Sequence, residues 1–103
     1  MLKYSLLEQE DGVRVDLEGD LDIETTEIIE EELTPSLLTY RSVVFNFERV
    51  PFVDSSGIGL LLKTIQLLTD QNIKVTITNV NEDVAMVFDI LQISDIVGED
   101  VFV

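Results

Sequence analysis

SVVFNFERVPFVDSSGIGLLLKTIQLLTDQNIKVTIT, residues 42–78, decides the fold. It opens on Ser42-Val43-Val44-Phe45-Asn46-Phe47, a β-branched and aromatic run that reads as a buried strand. It closes on Lys74 to Thr78, a second such run. Between them Ile58, Leu61, Leu62, Ile65 and Leu68 recur at helical spacing from Ser55 or Ser56 to about Thr69, and Asp70-Gln71-Asn72 supplies turn residues. Strand, helix and strand in that order imply a right-handed crossover between parallel strands.

Outward from this unit the pattern continues. Tyr4 to Glu10 and Val13 to Glu18 flank Asp11-Gly12, and Val13, Val15 and Leu17 alternate with Arg14, Asp16 and Glu18, which predicts a hairpin with one polar face. After Gly19-Asp20-Leu21-Asp22, the residues Ile28, Ile29, Leu33, Leu37 and Leu38 mark a first helix whose outer face carries Glu27, Glu30, Glu31 and Glu32. Pro35 predicts an irregularity near its end. Asn81 caps a third helix, with Glu82 and Asp83 in its first turn and Val84, Val87, Phe88 and Leu91 on one face. The tail from Ile93 adds a final short strand at Val101 to Val103. The expectation is an α/β fold: a mixed, mostly parallel sheet of four to five strands with helices and an N-terminal hairpin, in one domain over residues 1–103.

Composition narrows the function. The chain has 103 residues, 46% of them hydrophobic, enough for one packed core. Six Lys and Arg stand against 21 Asp and Glu, a formal net charge of −15. No stretch offers the clustered cations that a phosphate backbone or an anionic membrane surface needs, so direct nucleic-acid binding and membrane insertion are not expected, while a basic protein partner would be steered toward the chain. There is no Cys and no His, which removes thiol chemistry, imidazole or thiolate metal sites and every His-based triad. Neither a metal nor a cofactor is expected. Met1 to Glu8 turns acidic before a signal core forms, and no run reaches bilayer-spanning length, which places the protein in the cytoplasm.

In open α/β sheets function gathers outside the carboxyl ends of the parallel strands, so the loops entering the helices matter most. Only the middle one is unusual. Val50-Pro51-Phe52-Val53-Asp54-Ser55-Ser56-Gly57-Ile58-Gly59 presents apolar residues, then two hydroxyls behind a carboxylate, then two glycines inside the first helical turns. A helix N-terminus favours anions, so it tolerates a phosphate on Ser55. Asp54 or Ser55 caps the helix, and Gly57 and Gly59 admit tight packing on the sheet or the close approach of another backbone. Two glycines in a helix cost about 1 kcal/mol each relative to Ala, which points to a steric requirement beyond capping.

Together these segments resemble the bacterial anti-sigma-factor antagonists, whose fold is the STAS domain. Gly19-Asp20-Leu21-Asp22 is similar to the family's Gly-Glu-Leu-Asp, Val43 to Phe47 to its core strand, and Phe52 to Gly59 to the signature around its regulatory serine. Val75 to Val80 with Val84, Val87, Phe88 and Leu91 resembles its last strand and helix. The resemblance implies a partner switch: the unmodified antagonist binds an anti-sigma factor with serine kinase activity, and the kinase phosphorylates the first Ser after Asp, here Ser55. The complex then dissociates, and a PP2C-type phosphatase resets it. It places Asp22, Asp54, Ser56, Gly57 and Gly59 at the partner-binding surface, with Asp22 shaping that surface or capping the first helix. Phe52 and Met86 are expected in the core rather than at the interface.

Asn46 stands where many relatives carry Asp, Gln71-Asn72 replaces a turn that commonly contains glycine, and the C-terminus is short for the family's final helix. Ser56 becomes the modified residue if the helix starts one position later. The rival reading is a phosphorylation-independent STAS scaffold, in a stress-sensing assembly or as an accessory subunit of a lipid transporter. Gly57-Ile58-Gly59 lacks the other elements of a P-loop. A phosphoacceptor receiver would need an acidic cluster and a late Lys, and an enzyme a second reactive group opposite Ser55; the sequence offers none of these.

Overall fold

Alternation in Val13, Val15 and Leu17 sets the first strand pair. In the computed structural model, which describes residues 2–22, 27–93 and 101, β1 (Lys3–Gln9) pairs antiparallel with β2 (Gly12–Glu18) from Lys3↔Glu18 to Gln9↔Gly12. The turn is therefore Glu10-Asp11, and Gly12 belongs to the strand, where a Cβ would overlap the Ser42 hydroxyl and carbonyl of the neighbouring strand. β3 (Ser42–Arg49) runs parallel to β2, and β4 (Lys74–Thr78) parallel to β3, giving the order β1-β2-β3-β4. Each parallel neighbour is reached through a helical connection, as the crossover rule requires.

One face of this sheet is the floor of the core. Val13, Val15, Val43, Phe45, Val75 and Ile77 are all buried there, in registers Val15↔Phe45 and Phe45↔Ile77. The helices close over them with Leu33 and Leu37, then Ile58, Leu61, Ile65 and Leu68 of α2 (Ser55–Asp70), then Val84 and Phe88 of α3 (Glu82–Ile90). Phe88 meets Phe47 edge to face, centroids 6.0 Å apart. α2 and α3 begin where the sequence places them, and Asn81 caps α3 by accepting the Val84 N–H at 2.8 Å.

The other face stays open to solvent, so β3 is buried on one side only, and the expectation of a fully buried strand is corrected. Val44 and Asn46 are part-buried beside Arg14, Asp16, Thr76 and Thr78. Asp16 accepts from Arg14 Nε (2.9 Å) and Asn46 Nδ2 (3.0 Å), and Asn46 Oδ1 accepts from Asn79 Nδ2 at 2.9 Å. The Asn46 amide first, and the Arg14 guanidinium after it, hold the Asp16 carboxyl below its usual range against an opposing push from burial. An aspartate at 46 would set a second carboxylate against Asp16, so the amide suits this strand pair. The Gln71-Asn72 turn works without glycine because Asn72 itself takes a left-handed φ of 63°.

The first helix carries the predicted irregularity, but ahead of the proline. Ile28–Leu33 is π-helical, the Thr34 N–H reaching back to Ile29 O, and a short α1 (Thr34–Leu37) follows with Pro35 in its first turn. A proline has no N–H to give and its ring crowds the carbonyl four residues back, which the wider π coil relieves. Leu38, expected inward, is exposed. The final strand at 101–103 lies outside the described residues except for Val101, which is buried and not in a strand. Among the described residues no helix is long and apolar enough to cross a membrane, and no cluster of carboxylates could hold a metal ion.

Candidate functional site

Two loops at the carboxyl edge of the parallel strands are clipped together by backbone hydrogen bonds. Leu21 N–H donates to Phe52 O at 3.0 Å, and Asp54 N–H to Leu21 O at 3.1 Å, a short parallel bridge between Leu21 and Val53. Gly19 N–H adds a bond to Arg49 O at 3.0 Å. Leu21 and Val53 are both buried and anchor the clip, while Asp20, Asp22 and Asp54 next to them are half-buried. This brings Asp22 alongside the first turn of α2, although Asp22 and Asp54 stand 32 positions apart in the chain.

Asp54 is the cap of α2. Its backbone is extended (φ −113°, ψ 176°), Oδ1 accepts the Gly57 N–H at 2.8 Å, and its carbonyl accepts the Ile58 N–H at 2.9 Å. Ser55 is thus the first helical residue, and the alternative in which Ser55 caps and the helix starts later is excluded. Ser55 and Ser56 are both exposed, Asp54 half-buried. Gly57 is buried, and a Cβ there would overlap Leu21 O and lie 2.6 Å from Leu21 C and 3.1 Å from Asp22 N. The close backbone at Gly57 is therefore the chain's own. Gly59 is different: exposed, with nothing within 4 Å of a Cβ, it answers no steric requirement inside the protein.

Phe52 and Met86 correct the expectation of core positions, being 52% and 60% exposed. Phe52 lies outside because the clip turns Val53 inward, and adjacent residues of an extended segment point opposite ways. Met86 lies two residues from both Val84 and Phe88, about 200° around a helix whose inward face those two define. The same angular spacing places Ile90, 72% exposed, on the outside. Arg49, the cation nearest this edge in sequence, pairs with Glu18 at 3.7 Å.

A family model for the STAS domain matches residues 4–102. The chain belongs to the STAS domain family. Among its relatives, an anti-sigma-B factor antagonist of Staphylococcus aureus is 30% identical over 89 residues, 85% of this chain and 82% of the relative. The anti-sigma factor antagonist SpoIIAA in its unphosphorylated form superposes with a TM-score of 0.67 at 27% identity, covering 84% of this chain and 82% of that one. The STAS domain of a SulP transporter from Vibrio cholerae gives 0.67 at 30% identity, covering 84% and 68%.

Proposed function

We propose that this STAS domain is an anti-sigma factor antagonist that works as a partner switch. Unphosphorylated, it binds an anti-sigma factor with serine kinase activity; phosphorylation of Ser55 releases it, and a PP2C-type phosphatase restores it. Likeness to the Staphylococcus antagonist and to SpoIIAA supports the class of partner. The observation that carries the reading is the placement of Ser55: an exposed hydroxyl on the first residue of α2, directly after a capping carboxylate.

The chemistry follows from that placement. Phosphorylation adds about −1.5 to −2 charges. The Gly57 N–H already bonds the Asp54 carboxylate, so the phosphate arrives beside a negative charge that is already held there. It adds bulk and repulsion where a partner's backbone would approach over Ser56 and Gly59. Gly57 serves this surface from beneath, by letting the Leu21 carbonyl hold the two loops together. The role is regulatory rather than catalytic, uses no cofactor and belongs in the cytoplasm.

The test is binding to the cognate anti-sigma kinase, recognisable as a histidine-kinase-like ATPase. Ser55→Ala should bind as tightly as the unmodified chain and gain no phosphoryl group by intact mass, while Ser55→Asp binds more weakly. Equal affinities of the two variants would sink the switch. The likeness to a transporter's STAS domain supports the second reading, a phosphorylation-independent scaffold or accessory subunit. In that case a stable complex forms with no kinase activity toward Ser55.

A further inference from the structure

Among the described residues, the three most exposed large apolar side chains are Phe52, Met86 and Ile90, at 52%, 60% and 72%. They sit on the two elements that lead from the same sheet edge. Phe52 lies three residues before Ser55, and Asn81 Nδ2, at the start of α3, donates to Val50 O at 2.9 Å and ties α3 to that same loop. On α3, Glu82, Met86 and Ile90 form one row at i, i+4 spacing, all exposed, with Asp83 and Asp89 beside them. Val84 and Phe88 pack into the core, and among the described residues Met86 and Ile90 on the outer row stay exposed.

The charge around the patch has one sign. Residues 50–62 and 79–93 contain no Lys or Arg, while Glu82, Asp83 and Asp89, all exposed, share α3 with Met86 and Ile90. Two copies of a chain with a formal charge of −15 would bring like-charged rims together, which disfavours self-association through this face. A protein surface with an apolar centre and a cationic rim fits it: the centre supplies the burial and the rim the steering.

We infer that Phe52, Met86 and Ile90 form an apolar anchor for such a partner, separate from the Ser55 latch and insensitive to it. The inference rests on the partner-switch reading for the identity of that partner, the anti-sigma kinase. The anchor sets an affinity common to both phosphorylation states, and the latch subtracts from it. A two-part interface of this kind allows the modified chain to leave without any change in its fold.

The experiment uses the full chain and the purified anti-sigma kinase that binds the Ser55→Ala variant. Met86→Gln combined with Ile90→Gln alters only exposed positions and keeps good helix formers, so the urea midpoint should hold. By calorimetry the double variant should bind about 30-fold more weakly, in both the Ser55→Ala and the Ser55→Asp background, and wild-type binding should weaken as salt rises. Undiminished binding by the double variant, with Ser55→Asp still weak, overturns the anchor and leaves the latch standing. Loss on the apolar substitutions with no effect at Ser55 upholds the anchor and removes the latch. Binding that strengthens with salt overturns the cationic rim. Concentration-dependent self-association that the double variant abolishes assigns the patch to a second copy and overturns the proposal.

Discussion

Gly57 points into the protein and Gly59 out of it, though they stand two residues apart in the same helix. A Cβ on Gly57 would overlap the Leu21 carbonyl that accepts the Asp54 N–H, whereas one on Gly59 would touch nothing. Both carry the same intrinsic cost in a helix, about 1 kcal/mol relative to Ala. Only the inner one recovers it within the fold, through the hydrogen bonds of the clip. The pair separates what builds this site from what it is built for.

The largest expected effect is at the inner position. Gly57→Ala must push Leu21 away from α2 and breaks the geometry of the clip, a loss of about 2–4 kcal/mol that a urea midpoint would register. The kinase should phosphorylate Ser55 more slowly in what remains folded, because the loop carrying Asp22 no longer lies against the helix start. A variant that unfolds at the wild-type midpoint would mean that the two loops meet loosely, and the contrast between the glycines would disappear.

Asp54→Ala comes next. Removing the carboxylate that accepts the Gly57 N–H should cost about 1 kcal/mol, visible as a lower midpoint at unchanged slope. It removes a charge next to Ser55 as well, so the penalty of phosphorylation on partner binding should shrink. Loss of stability without that second change would confine Asp54 to capping.

The same contrast shows why some of this was legible in the sequence and some was not. Element types and order follow from periodicity, which local sequence carries: β4 starts at Lys74 as expected, and α2 starts at Ser55, one of the two positions that the spacing allows. The juxtaposition of Asp22 with Asp54 depends on Leu21 bridging Val53, a contact between loops that periodicity does not encode. The family resemblance, not the spacing, brought Asp22 into the site. Gly57 and Gly59 look alike in sequence because a glycine records the absence of a side chain and not the reason for it. Phe52 and Met86 differ from expectation for a related reason: hydrophobicity alone does not say which way a side chain points, whereas the inward direction set by Val53, Val84 and Phe88 points both of them out. The π-helical turn ahead of Pro35 lies beyond the 3.6-residue pattern altogether.

The open face of the sheet sharpens the comparison from the other side. Asp16, on the open face of the sheet, has its carboxyl held low by Asn46 and then Arg14. Its stabilising contribution is complete above the usual carboxylate range, about pH 4, and is lost as pH falls through the lowered folded value. Asp16→Asn should therefore cost about 1 kcal/mol near neutral pH, and its difference from wild type should close on acidification, as paired urea titrations across pH would record. Partner affinity should stay unchanged, since the residue supports the sheet and not the switch.

The smallest effect carries the opposite sign. Gly59→Ala fits a helical backbone with open space around the new methyl, so it should stabilise the protein by about 0.5–1 kcal/mol. If Gly59 exists to let a partner's backbone come close, the same methyl must weaken the complex while it strengthens the fold. Both readouts come from one variant, a urea midpoint and a calorimetric titration with the anti-sigma kinase. A gain in both stability and affinity would mean that no partner approaches this turn closely, and the surface used for binding would have to lie beyond the residues that follow Ser55. A gain in stability with a loss in affinity is the signature of a residue kept for an encounter that the folded chain alone does not explain.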